Sequence, residues 1–235
     1  MSPAGGGRTL VLIRHGHSDW NLSDRLTGWT DIPLTQIGLD EAAAAGRRLA
    51  AAGYCFSEAH ISALCRCRQT LEALQEALGG PRIPVQASWR LNERHYGQLQ
   101  GMTKREILAR WGEERARRWW RGYYDRPPAL DPEDPRHPRF DPRYGHLDPT
   151  LLPAAESLQD CQRRTLPYWH RVLMPRLAAG KRLLVISHGN TLRALVMHLD
   201  RITPRAMERV EIPSAVPLIY RFADDLGPLD RVWLE

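Results

Sequence analysis

The chain has 235 residues, 43% hydrophobic and 26% charged, an ordinary balance for one globular domain able to bury a substantial core. No apolar run approaches the length of a membrane span, and Met1 to Gly7 lack a signal-peptide core, so neither a membrane protein nor a secreted one is expected. The net charge of +6 suits nucleic acid or an anionic small substrate, but the arginines are scattered and mostly sit beside acids, which argues against nucleic acid.

In chain order, the small, Gly-rich stretch 1–8 reads as a disordered tail and 9–235 as one catalytic domain. Thr9–Ile13 is a short apolar, β-branched run and predicts a buried strand. Thr35 to Ala52 has helical spacing, with Thr35 as N-cap and Gly53 as the stop. Arg68 to Leu78 predicts a second helix, closed by Gly79-Gly80, and Thr103-x-x-Glu106 is a capping box opening a third. The stretch 122–153 carries eight prolines without period and is expected to be an excursion over the active-site face. Ser157 to Leu177 is a helical pattern that Pro167 and Pro175 should kink or break. Arg182–Ile186 predicts a second buried strand, Thr191–Leu199 a short amphipathic helix, and Pro217–Phe222 and Val232–Leu234 edge strands. Strands alternating with helices imply an α/β fold, a mostly parallel sheet covered on both faces. Cys55, Cys65, Cys67 and Cys161 have neither zinc nor redox spacing and do not make a disulfide scaffold, which fits a reducing cytoplasm.

Both buried strands end alike, in Arg14-His15-Gly16 and Ser187-His188-Gly189. The C-terminal ends of parallel strands open onto one edge, so the two histidines are expected to converge in one pocket. Glycine after each lets a ligand approach the backbone, and the helix N-termini that follow suit an anion. Arg14 offers a guanidinium fork for phosphate oxygens, and Ser18 and Asn21 add neutral donors. A metal site is disfavoured by the adjacent arginine, and a serine hydrolase by the absence of Gly-x-Ser-x-Gly. Phosphoryl transfer through a covalently modified histidine fits better, one imidazole attacking phosphorus while cations neutralise the transferring oxygens.

Arg14-His15-Gly16-x-Ser18-x-Trp20-Asn21, then Thr27-Gly28-Trp29, resembles the phosphohistidine signature of the cofactor-dependent phosphoglycerate mutases, within the histidine phosphatase superfamily. The likeness continues through Ser62-x-Leu64-x-Arg66, Leu91-Asn92-Glu93-Arg94-His95-Tyr96-Gly97, Glu156-Ser157-Leu158 and His188-Gly189-Asn190-Thr191-Leu192-Arg193. It implies the phosphoglycerate mutase-like fold and the interconversion of 3- and 2-phosphoglycerate in glycolysis and gluconeogenesis. His15 would be the nucleophile, Arg14, Asn21, Arg66 and His188 the holders of the phosphate, and Glu93 the proton shuttle. Thr27, Gly28, Arg94, Tyr96, Lys104, Arg121, Gly189 and Asn190 would contact the rest of the substrate. The resemblance further implies 2,3-bisphosphoglycerate as primer, no metal, and a homodimer or homotetramer.

Two departures stand out within the pattern: His17 where the family usually has Glu, and Trp120 where a pair of arginines usually begins, leaving Arg121 alone. A phosphatase on the same scaffold, with water accepting the phosphate from His15, is the alternative reading. Packing is the expected role of Trp20, Trp29, Trp119 and Trp120; Arg47-Arg48 and Arg117-Arg118 read as solvated faces, and Arg163-Arg164 as another such face or a subunit interface.

Overall fold

The computed structural model describes residues 7–235. Its strands are β1 (Arg8–Arg14), β2 (Glu58–Ser62), β3 (Val85–Ser88), β4 (Leu183–Ser187), β5 (Leu218–Phe222) and β6 (Pro228–Trp233), joined in one sheet of order β3-β2-β4-β1-β5-β6. The first four are parallel, and β5 and β6 are added antiparallel at one edge. Alternation along β1 feeds two cores: Leu10 and Leu12 pack with Leu183, Val185 and Leu195 on one face, and Val11 and Ile13 with Ile61, Leu184 and Ile186 on the other. The tail expected over 1–8 lies outside the described residues apart from its end, where Arg8 already opens β1.

The helices are α1 (Asp19–Leu22), α2 (Gln36–Ala51), α3 (Cys65–Leu78), α4 (Lys104–Trp111), α5 (Glu113–Arg121), α6 (Leu158–Tyr168), α7 (Met174–Ala178), α8 (Gly189–Leu199) and α9 (Pro204–Met207). Thr35 caps α2 and Thr103 caps α4 as expected. α3 begins at Cys65, not Arg68, which brings Arg66 into its first turn. α8 likewise begins at Gly189, so Asn190 belongs to its first turn. Pro167 and Pro175 do not break the chain's helical course; a π-turn over Trp169–Leu173 joins α6 to α7 between them.

The excursion 122–153 is ordered by three short 3-10 turns, each opened by a proline: Pro138, Pro142 and Pro149. It departs from expectation in position. The Pro128 carbonyl accepts from Gln98 N, and the Tyr144 hydroxyl accepts from Asn92 Nδ2 at 2.7 Å, so the segment packs behind the wall that carries Trp29 and Glu93. None of its residues lines the cavity described below.

Candidate active site

β1 and β4 are neighbours in register, Arg14 opposite Ser187, and the His15 N–H donates to the Ser187 carbonyl at 3.0 Å. The residues one step beyond are therefore adjacent, and the rings of His15 and His188 meet edge to face at 4.9 Å. The turn after β1 is pressed onto α2. A Cβ on Gly16 would lie 2.2 Å from the Gly38 carbonyl oxygen, and one on Gly38 would lie 2.1 Å from that of His17. Glycine is required at both positions by this close approach.

His15 is buried, with Nδ1 2.7 Å from the Gly16 carbonyl. A carbonyl only accepts, so Nδ1 carries the proton and Nε2 keeps the lone pair. Burial, then the guanidinium groups of Arg66 and Arg14, hold His15 well below the ordinary histidine range. The ring is thus neutral near pH 7, the form a nucleophile needs.

Arg66 donates to the Thr30 carbonyl at 2.9 Å, the Gly28 carbonyl at 2.8 Å and His188 Nδ1 at 3.2 Å. Since arginine only donates, His188 carries its proton on Nε2, which donates to Ser62 Oγ at 2.8 Å. Burial, followed by Arg66 and then His15, keeps His188 neutral as well. Arg14 donates to the Ile212 carbonyl at 3.0 Å, and its buried Nε has no hydrogen-bond partner among the described residues. A buried guanidinium N–H left unmatched beside a neutral imidazole fits an oxyanion.

Glu93 is oriented by backbone. Its Oε1 accepts from Arg94 N at 2.7 Å and from Asn190 N, in the first turn of α8, at 3.2 Å. That leaves Oε2 for a substrate hydroxyl. Its segment is clamped from behind by Arg164, which corrects the surface role expected for that arginine. Arg164 is buried, forms a bidentate pair with Glu156 at 2.7 and 2.9 Å, and donates to the carbonyls of Trp89, Arg90, Asn92 and Glu93. Glu156 in turn accepts from His95 N.

These groups bound a cavity of about 670 Å³. Arg14, His15, Asn21, Thr27, Gly28, Arg66, Glu93, Tyr96, Lys104, Arg121, Gly189 and Asn190 are on its wall. Ser18, Arg94 and His188 are not. The Ser18 hydroxyl and N–H both donate to Asn21 Oδ1, so Ser18 orients the Asn21 amide with Nδ2 free to donate. Arg94 is fully buried behind Tyr96, its guanidinium 4.6 Å from that ring and bonded to the Trp120 carbonyl. His188 has both ring nitrogens engaged and buttresses His15 and Arg66 from behind.

The sequence reading gave no site role to Arg193, which also lines the cavity and donates to Asn190 Oδ1 at 3.0 Å and the Met207 carbonyl at 2.7 Å. Burial, then Arg94, lowers it to about 10. Its signal was spacing: three residues past Asn190, it returns to the same helical face. Trp120, expected to be a packing residue, both flanks the cluster of Leu26, Leu99 and Trp119 and forms part of the cavity wall. Among the described residues, no group of three or more His, Cys, Asp or Glu is placed to hold a metal ion.

The profile described as Histidine phosphatase superfamily (branch 1) matches residues 10–137 and 131–232. A 2,3-bisphosphoglycerate-dependent phosphoglycerate mutase of Nitratidesulfovibrio vulgaris (strain DSM 19637 / Miyazaki F) is 50% identical over 226 residues, 96% of this chain and 91% of that protein. Among solved structures, a mycobacterial glucosyl-3-phosphoglycerate phosphatase in complex with VO3 superposes with a TM-score of 0.72 at 22% identity, covering 97% of each chain. A putative alpha-ribazole-5'-P phosphatase from Escherichia coli gives 0.70 at 21% identity, over 97% of this chain and 94% of that one. At those identities the structural likeness speaks to the fold.

Proposed function

The chain belongs to the histidine phosphatase superfamily, and from that premise we propose that it is a 2,3-bisphosphoglycerate-dependent phosphoglycerate mutase. The observation that carries the reading is the pairing of a neutral, Nε2-lone-pair His15 with a backbone-oriented Glu93 in one cavity, supported by the closely similar mutase. Transfer to a substrate hydroxyl needs a base to take that hydroxyl's proton and an acid to return it to the leaving oxygen, and Glu93 is placed for both.

Priming by 2,3-bisphosphoglycerate supplies the first phosphoryl group on His15 Nε2. The free hydroxyl of a bound monophosphoglycerate then attacks phosphorus, the N–P bond breaks, and Glu93 takes the hydroxyl proton. Arg14, Arg66 and the Asn21 amide neutralise the transferring oxygens. The product, now doubly phosphorylated, reorients. His15 Nε2 attacks its other phosphoryl group, the bond between phosphorus and the bridging oxygen breaks, and Glu93 returns the proton to that oxygen, which stays on carbon. Thr27, Tyr96, Lys104, Arg121 and Asn190 would hold the glycerate end. We read the enzyme as metal-independent, cytoplasmic and homo-oligomeric. The phosphatase reading shares the attack of His15 on a phosphate ester, with water as the later acceptor, and ranks second because the closely similar protein is a mutase.

A coupled assay on 3-phosphoglycerate separates the two readings: 2-phosphoglycerate formation should exceed phosphate release, and EDTA should leave it unchanged. Phosphate release alone sinks the mutase reading. Labelled 2,3-bisphosphoglycerate should leave an acid-labile, base-stable label on the enzyme that is absent from His15→Ala.

A further inference from the structure

His17 follows the nucleophile by two residues and lines the same cavity, and it is held unusually firmly for a half-exposed side chain. Its N–H donates to Glu41 Oε2 at 3.0 Å, and its carbonyl accepts from both the N–H and the hydroxyl of Thr35 at 3.0 Å. Its Nδ1 lies 2.7 and 2.9 Å from the two oxygens of Glu41, on α2. The close approach of Gly16, His17 and Gly38 fixes the same turn from below. Three of the residue's four polar atoms are thereby committed. Nε2 remains, without a partner among the described residues.

We propose that His17 is a substrate-binding residue of this cavity, donating from Nε2 to an anionic oxygen of the bound phosphate ester. The proposal deepens the mutase reading and rests on the cavity's being a phosphate-ester site. A carboxylate can only accept, so the Nδ1 that faces Glu41 carries a proton. With Nδ1–H turned to Glu41, donation from Nε2 to an oxyanion is made by the doubly protonated ring, whose two N–H groups then bridge the carboxylate and the ligand. The ring would then be a positioned cationic donor, with little rotamer freedom left to lose on binding.

The charge is useful here because of how the other cations at the mouth are committed. Lys104 is paired with Asp24 at 2.5 Å and Arg121 with Glu211 at 2.6 Å, and both acids also line the cavity. Trp120, beside Arg121, contributes none. The anionic oxygens in question belong either to the phosphoryl group at His15 or to the carboxylate at the glycerate end.

The test is a series at position 17, His17→Gln and His17→Glu, each checked by thermal melting and compared with the native chain. Vanadate dissociation and the KM and kcat for 3-phosphoglycerate are measured. A hydrogen bond to a charged group corresponds to roughly ten- to a hundredfold in binding, and partial exposure puts His17 near the lower figure. His17→Gln should weaken binding about tenfold and His17→Glu by more, with kcat less affected. Such a charge-ordered trend is not what a merely structural role produces. Weaker vanadate binding assigns the contact to the phosphoryl group; a raised KM with unchanged vanadate binding assigns it to the carboxylate. If both quantities stay within twofold in both variants, or only kcat falls, the proposal is overturned. Absence of mutase turnover in the native chain would instead remove the functional reading and leave the vanadate measurement standing as the test of His17.

Discussion

At the inner end of the cavity, His15, Arg66 and His188 are buried and held by partners that fix their orientation and tautomer, whereas at its mouth Lys104 and Arg121 are about half exposed and paired with Asp24 and Glu211. The inner groups face carbonyls, a histidine nitrogen and a serine hydroxyl, none of which carries charge. Two guanidinium groups consequently stand beside the nucleophile with no carboxylate partner, ready for phosphate. The mouth cations are each neutralised by an acid, but exposed pairs are worth only about 0–1 kcal/mol, so an incoming anion can replace Asp24 or Glu211 at little cost. On the proposed mechanism, chemistry would rest on groups fixed before the substrate arrives, and substrate selection on contacts that exchange when it does.

The largest way to break this contrast is Glu93→Gln. The amide keeps the shape and can still face the backbone donors, but it cannot take a proton. Turnover should fall about 10²- to 10⁴-fold, the usual worth of general acid–base help, while vanadate binding changes little. Near-normal turnover would move proton transfer to another group, and His188, with both nitrogens engaged, would first have to release Arg66 or Ser62.

Acid should act through the buried histidines, two of which, His15 and His188, stand at the inner end. Five buried histidines are held below the ordinary range, burial being the first cause for each: His15 and His188 well below it, His60 at about 4, His95 at about 3, and His137 also lowered. Their folded values lie below the unfolded value, so the unfolded state binds more protons once pH drops beneath about 6.5. Stability is complete above that pH and is lost as pH falls toward the folded values, by up to about 1.4 kcal/mol per pH unit for each such group. Urea midpoints measured from pH 8 to pH 4.5 should decline steadily below about 6.5. A flat profile would mean that these rings are not buried neutral.

The same contrast separates what the sequence discloses from what it hides. Two strand-His-Gly units are visible because β1 and β4 are continuous apolar runs buried on both faces. β2 is not visible: Glu58-Ala59-His60-Ile61-Ser62 is polar in composition, and only the fold pairs His60 with the Tyr168 hydroxyl at 2.9 Å. β3 is exposed along most of its length and lacks a core signal, and α5 hides one buried tryptophan among arginines and glutamates. Arg164 reads as half of a surface pair, because nothing local shows that Glu156 and four carbonyls will surround it. The excursion 122–153 was legible as an insertion, but its placement depends on Tyr144 finding Asn92.

Trp120→Arg is the smallest of the expected effects and the one that sharpens the contrast most. Trp120 lies on the wall next to Arg121, and its indole also packs at the edge of the Leu26–Trp119 cluster, so it adds no cation beside Arg121. The cations left there compete with their own acids, and the bisphosphorylated intermediate must be gripped while it turns end for end. An added arginine–phosphate contact corresponds to about 1.5–3 kcal/mol, reduced by screening at a half-open site to roughly tenfold in residence. Trp120→Arg should therefore lower both the concentration of 2,3-bisphosphoglycerate needed to sustain turnover and the ratio of phosphate release to isomerisation. Steady-state assays at graded 2,3-bisphosphoglycerate, with released phosphate measured in parallel, decide it. If neither quantity moves, retention of the intermediate is set at the inner end by Arg14 and Arg66, and the mouth serves entry alone.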